Sequence, residues 1–251
     1  MNNESRIIVA LDTDDPAVAL DLAKKLSPHV RYFKFGLEFI TAMLRKMVAI
    51  DISEGSSLTI LSTVRELFLL LRDRIFWDGK FMDIPNTMAG AAAAVSGLEV
   101  SMFNVHASAG TEAMKAAVKN KGRAKVLAVT ILTSQAEECL YIFCGPVKER
   151  VEKLAWFAYN SGVDGIICSA QEASMLREKP YMDRKLIVTP GIRPVGSDPG
   201  DQRRISTPRN AILAGADYLV VGRPITGALD PVAAAKAINE EVQKALAEIK
   251  K

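Results

Sequence analysis

The sequence predicts an α/β protein folded as a closed (β/α)8 TIM barrel, with one domain spanning residues 1–251. Eight short apolar runs of strand character recur along the chain, stretches of helical periodicity lie between most of them, and 251 residues match the usual size of eight such units. Alternating strands and helices argue for parallel strands joined by crossover helices. An open doubly wound sheet is the competing architecture. However, no G-x-G-x-x-G follows the first run, where a dinucleotide fold would need it.

Taken in order, the first strand is Ile7-Ile8-Val9-Ala10-Leu11, and a helix follows over Ala17 to Leu26. Val30 to Phe35 gives the second strand. Next comes an expanded region around 43–61, where a helix continues past Lys46, passes through Asp51 to Ser57 and resumes over Leu58 to Leu71. Charged residues Arg65, Glu66, Arg72 and Asp73 flank the apolar Leu67 to Leu71, as in an outer-ring barrel helix, with an amphipathic partner surface as the alternative. Arg74 to Trp77, Val100 to Val105 and Val126 to Ile131 supply strands three to five, with helices over Ala89 to Ser96 and Thr111 to Lys119 between them. A helix over Lys148 to Asn160 precedes the last three strands, Gly165 to Cys168, Leu186 to Thr189 and Tyr218 to Val221. The chain ends in a helix over Pro231 to Ile249.

Composition bounds the function. An apolar fraction of 49% and 24% charged residues are ordinary globular usage, and a net charge of +3 gives no reason to expect nucleic acid. No uninterrupted apolar stretch is long enough to span a membrane, and Met1 to Arg6 lacks the apolar core of a signal peptide, so a cytoplasmic protein is expected. Cys139, Cys144 and Cys168 have no C-x-x-C spacing and read as buried thiols, not as a metal or redox site. His29 falls in a polar turn, and His106 follows an apolar strand as an orienting or core residue.

The chemistry concentrates in Asp78-Gly79-Lys80-Phe81-Met82-Asp83-Ile84-Pro85-Asn86-Thr87. Side chains two apart on a strand share a face, so Asp78 and Lys80 should point the same way, into one interior. Buried ionised groups need partners or a ligand. Strand one ends in Leu11-Asp12 and strand two contains Phe33-Lys34-Phe35-Gly36, so Asp12, Lys34, Asp78, Lys80 and Asp83 are expected to form an alternating network at one barrel face.

Phosphate commonly binds after strands seven and eight of such barrels. Thr189-Pro190-Gly191-Ile192-Arg193-Pro194 and Val221-Gly222-Arg223-Pro224 stand there. Glycine lets backbone N–H groups approach an anion, arginine offers a charged fork, and a following helix would add its positive N-terminal end. Gln202 lies in a long polar loop that reads as a lid.

These stretches, with Val105-His106-Ala107-Ser108, Val129 to Ser134 and Gly200-Asp201-Gln202-Arg203-Arg204, occur in the order of the orotidine 5′-monophosphate decarboxylase family, which the chain strongly resembles from Ile8 to Pro231. The resemblance implies a homodimer with shared active sites that converts orotidine 5′-monophosphate to uridine 5′-monophosphate and carbon dioxide without metal or organic cofactor. It makes Lys80 the proton donor, sets Asp78 beside the departing carboxylate, and gives Asp12 and Lys34 to the ribose hydroxyls. Asp83 and Thr87 match residues that reach the partner's site, and Thr133 matches a pyrimidine contact. Gly191, Arg193, Gln202, Gly222 and Arg223 match the phosphate gripper and its closing loop. Gly79 stands where many members carry leucine and Met82 where many carry histidine. The alternatives are a metal-dependent sugar-phosphate decarboxylase or aldolase of the same barrel superfamily, and a non-catalytic nucleotide-binding barrel. Lys34 argues against the metal enzyme, because an ammonium would repel the ion where an acidic ligand is needed.

Overall fold

Branched and aromatic residues favour extended backbone, and each apolar run expected as a strand forms one. The computed structural model describes residues 5–48, 56–135, 139–142, 144–198, 200 and 202–249. Its strands are β1 (Ile7–Ala10), β2 (Tyr32–Phe35), β3 (Ile75–Phe81), β4 (Met102–His106), β5 (Lys125–Val129), β6 (Gly165–Ile167), β7 (Leu186–Thr189) and β8 (Tyr218–Val221). Each pairs in parallel with the next, and β8 closes on β1 with Val220 opposite Ile8.

The helices form the outer ring. They are α1 (Pro16–Leu26), α2 (Leu37–Val48), α3 (Ser56–Leu70), α4 (Pro85–Ser96), α5 (Thr111–Lys119), α6 (Cys139–Ile142), α7 (Val147–Asn160), α8 (Ala170–Arg177), α9 (Pro208–Leu213), α10 (Arg223–Thr226) and α11 (Pro231–Ile249). Local chemistry sets their starts: Asp15 caps α1 by accepting from the Ala17 N–H at 2.8 Å, with Pro16 in the first turn.

Strand periodicity divides the core in two. Odd residues of β1, such as Ile7 and Val9, pack outward under the helices, whereas Ile8 and Ala10 join Phe76, Met102, Leu127, Val188 and Val220 inside the barrel. Following the inward parity towards the C-terminal strand ends leads from Ala10 to Asp12, from Tyr32 to Lys34, from Phe76 to Asp78 and from Met102 to Asn104. The apolar floor therefore gives way to charge at the mouth.

The structure sharpens or corrects the sequence expectation in three places. β3 runs on through Phe81, and its pairing with β4 shifts register between Trp77 and Phe81, where Lys80 takes a left-handed φ of 48°. α2 ends at Val48 and α3 begins at Ser56, while residues 49–55 of the expanded region lie outside the described residues. α3 itself behaves as an outer-ring helix: it packs on α1, buries Leu67, and its Glu66 meets Lys24 at 2.7 Å. Of the three cysteines, Cys168 is buried as expected, but Cys144 is exposed, in a left-handed turn before α7, and the side chain of Cys139 lies outside the described residues.

Gly79 faces away from the charged row, as expected. A Cβ there would lie 2.8 Å from Phe81 Cε1 and 2.9 Å from Trp77 Nε1, so the two flanking aromatics occupy the space a larger residue would take. Gly79→Leu should therefore overpack this face and destabilise the fold by about 1–3 kcal/mol. The urea midpoint reads this directly, and a rise in the midpoint would contradict the packing argument.

Candidate active site

Four charged side chains from three strand ends alternate in sign across the barrel mouth. Lys34 Nζ lies 3.0 Å from Asp12 Oδ1 and 3.1 Å from Asp78 Oδ2, and Lys80 Nζ lies 2.7 Å from Asp78 Oδ1. Gly36 makes this possible, because a Cβ at that position would come within 2.8 Å of Lys34 Nζ and 2.9 Å of Asp12 Oδ1. Asn104 completes the arrangement. Its Nδ2 donates to Asp78 Oδ1 at 2.6 Å, and its Oδ1 accepts from the Lys80 backbone N–H at 2.7 Å. That second bond holds the left-handed residue in place, so one amide fixes both the acid and the base.

The electrostatics follow from burial and pairing. Burial alone would raise the Asp78 carboxyl, but the cations of Lys34 and Lys80, with hydrogen bonds from Lys80 and Asn104, hold it below its ordinary range. Burial alone would lower the Lys34 ammonium, and Asp78 and Asp12 overcome it to hold the group above its ordinary value. Half-buried His106 is kept below its usual value by burial and by Lys80, which favours the neutral imidazole.

The row forms one wall of a cavity of about 700 Å³. Apolar Ile131, Leu132 and Ile167 also line it, and the loops after β7 and β8 contribute Gly191, Arg193, Gln202, Gly222 and Arg223. Glycine is required twice in these loops. Gly191 has φ 75° and would bring a Cβ to 3.0 Å from the Arg204 carbonyl oxygen, and Gly200 has φ 58° where the Arg223 guanidinium lies against it. Thr133 Oγ1 donates to Gln202 Oε1, joining the loops after β5 and β7. Arg193 Nε donates to the Asp198 carbonyl oxygen and Nη1 to that of Ile192, each at 2.9 Å. The expected helix dipole is slight, because α10 is a single turn and no helix directly follows β7.

The structure thus brings together Asp12, Lys34, Asp78, Lys80, Thr133, Gly191, Arg193, Gln202, Gly222 and Arg223 around one cavity. It does not place Asp83 or Thr87 there. Asp83 is exposed just beyond β3, with its Oδ1 accepting from the Ile84 N–H at 2.6 Å, and Thr87 is exposed in α4. The five-membered charge row expected from the sequence is therefore four-membered within this chain. Asn104 was missed, although an amide at an inward position of an apolar strand is itself a signal. Glu38, at the rim, was also missed.

Residues 5–238 match the family model described as orotidine 5′-phosphate decarboxylase / HUMPS family. The orotidine 5′-phosphate decarboxylase of Moorella thermoacetica is 42% identical over 255 residues, covering 97% of this chain and 94% of that protein. The enzyme of the same name from Pseudoalteromonas translucida is 44% identical over 246 residues, covering 95% of this chain and 97% of its own. Among solved structures, orotidine 5′-phosphate decarboxylase from Lactobacillus acidophilus superposes with a TM-score of 0.73 at 34% identity, covering 95% of this chain and 99% of that one.

Because Asp78 is held low and Lys34 high, their mutual stabilisation should be complete from roughly pH 4 to 10.5. It should fade at lower pH as Asp78 protonates and at higher pH as Lys34 loses its proton. Lys34→Met, which leaves Asp78 buried with one cation fewer, should cost about 3–5 kcal/mol near neutrality. Urea denaturation from pH 3 to 8 should show the gap to the parent narrowing below about pH 4. A gap that does not change with pH would mean that the lysine stem, and not its charge, stabilises the mouth.

Proposed function

The chain belongs to the orotidine 5′-phosphate decarboxylase / HUMPS family, and from that membership we propose that it converts orotidine 5′-monophosphate to uridine 5′-monophosphate and carbon dioxide. This is the last step of de novo UMP synthesis. The single observation that selects this chemistry within the family is the position of Lys34 between Asp12 and Asp78. A sugar-phosphate enzyme that uses a divalent ion would need those carboxylates as ligands, and here they share an ammonium.

Loss of carbon dioxide leaves an electron pair on a pyrimidine carbon with no adjacent electron sink. Lys80 is the group proposed to meet it. Its ammonium stabilises charge that is localised on the ring carbon in the transition state but spread over the carboxylate in the substrate, and its proton then fills the vacated position. Asp78 sits beside the departing carboxylate, and Asp78 with Asn104 aims the ammonium. Asp12 and Lys34 take the ribose hydroxyls, Thr133 the pyrimidine, and Gly191, Gln202, Gly222 and Arg223 the phosphate. Arg193 joins them at the phosphate, and its Nε and Nη1 also brace loop carbonyls. No metal or organic cofactor enters this scheme.

The outward placement of Asp83 and Thr87 supports a homodimer with shared sites. Exposed Met82 and Ile84 flank Asp83, giving that edge the apolar character of a contact surface. No helix among the described residues is long and apolar enough to cross a membrane, and we propose a cytoplasmic enzyme.

Three outcomes test the proposal. With excess chelator, the parent should convert orotidine 5′-monophosphate, followed by ultraviolet absorbance, while Lys80→Ala should lose turnover by orders of magnitude; no conversion by folded parent would sink the assignment. Arg223→Ala should raise KM and lower kcat together, since remote phosphate contacts contribute to the transition state. Mixing and refolding the separately inactive Lys80→Ala and Asp83→Ala chains should restore about a quarter of parental activity if sites are shared across a two-fold dimer. No recovery would place Asp83 outside the shared site.

A further inference from the structure

One buried ion pair lies outside the charge row and has no part in the chemistry above. Arg204 Nη1 donates to Glu172 Oε1 at 2.6 Å, with side chains only 7% and 2% exposed. Burial pushes the Glu172 carboxyl up, opposed by Arg204, and replacing a buried ion pair by apolar residues is often neutral for stability. What an apolar pair would lose is the grip on the surrounding backbone. Arg204 Nη2 donates to the carbonyl oxygens of Ile131 at 3.0 Å and Leu132 at 3.1 Å. The N–H groups of Arg203 and Arg204 donate to the Thr133 carbonyl at 3.3 and 3.2 Å, and Ser169 Oγ donates to the Arg204 carbonyl at 3.3 Å.

A single residue therefore joins the exits of β5 and β6 to the chain returning from β7. Thr133 and Gln202, the two cavity residues that bond each other, are set by this junction from either side: Thr133 through its own carbonyl, and Gln202 by lying two residues before Arg204. We propose that Arg204, held by Glu172, is a positioning residue that fixes Gln202 at the phosphate end of the cavity. This rests on the reading of that end given under the proposed function. The pair touches no reacting atom, so its loss should matter most to a substrate that carries the phosphate.

The test compares orotidine 5′-monophosphate with orotidine, the same nucleoside without phosphate, in the parent, in Glu172→Gln/Arg204→Met and in Arg204→Lys. The double variant removes both charges at similar volume, and the lysine keeps a partner for Glu172 but loses the fork to Ile131 and Leu132. Both should fold, and kcat/KM for orotidine 5′-monophosphate should fall by at least about tenfold in the double variant, and less in the lysine variant, while that for orotidine changes by no more than about threefold. Equal losses for both substrates, or no loss for either, would overturn the proposal. Hydrogen exchange over residues 202–206 decides the anchor independently of turnover. Faster exchange confined to that segment supports it, and parent-like exchange in the double variant overturns it. An inactive parent with accelerated exchange in the variant would refute the decarboxylase reading and leave the anchor standing.

Discussion

Lys34 carries its charge with only 8% of its surface exposed, which is tolerable because Asp12 lies 3.0 Å and Asp78 3.1 Å from its ammonium. Remove that cation and Asp78, itself 6% exposed, loses one of the two charges that keep it ionised. With Asp78 protonated, Lys80 would lose its aiming partner, and its ammonium would be free to swing. The barrel serves this arrangement. Three adjacent strands end in register, Gly36 leaves space for the Lys34–Asp12 contact, and Asn104 on the fourth strand holds the left-handed turn at Lys80. Every one of these devices supports a row of charges that would otherwise repel burial.

The two ends of the cavity are built differently, in keeping with what each has to do. At the lysine end, rigid strands set positions to within a hydrogen-bond length, as a reaction governed by placed charge requires. At the end proposed for the phosphate, loops line the cavity, and buried arginines hold the loops. Arg193 braces the carbonyls of Ile192 and Asp198, and Arg204 braces those of Ile131 and Leu132. Guanidinium suits this work because it donates in several directions at once and keeps its charge when buried.

The barrel was readable because its two periodicities are strong: β-branched runs at strand spacing, separated by helical stretches, leave little choice of architecture. Most of the site was readable for a related reason. Charge at an inward strand position is so unfavourable without partners that Asp12, Lys34, Asp78 and Lys80 announce one another. Other elements were hidden. The bulge at Lys80 depends on a bond from Asn104, twenty-four residues away, which no local pattern contains. Arg204 looks like its exposed neighbour Arg203 in sequence, and only the fold shows that it is buried against Glu172. Asp83 sits within the same short motif as Asp78 and Lys80, and strand parity ceases to apply once the chain leaves β3, so its side chain turns outward.

The central claim is that Lys34 keeps Asp78 ionised so that Lys80 remains aimed. Carbon-13 NMR of the aspartate carboxyls, titrated through the acid range in the parent and in Lys34→Met, measures this at the group concerned. The account predicts that Asp78 titrates below the ordinary aspartate value of about 3.9 in the parent and moves upward when Lys34 is neutralised. An Asp78 carboxyl that titrates at the same pH in both proteins would contradict it.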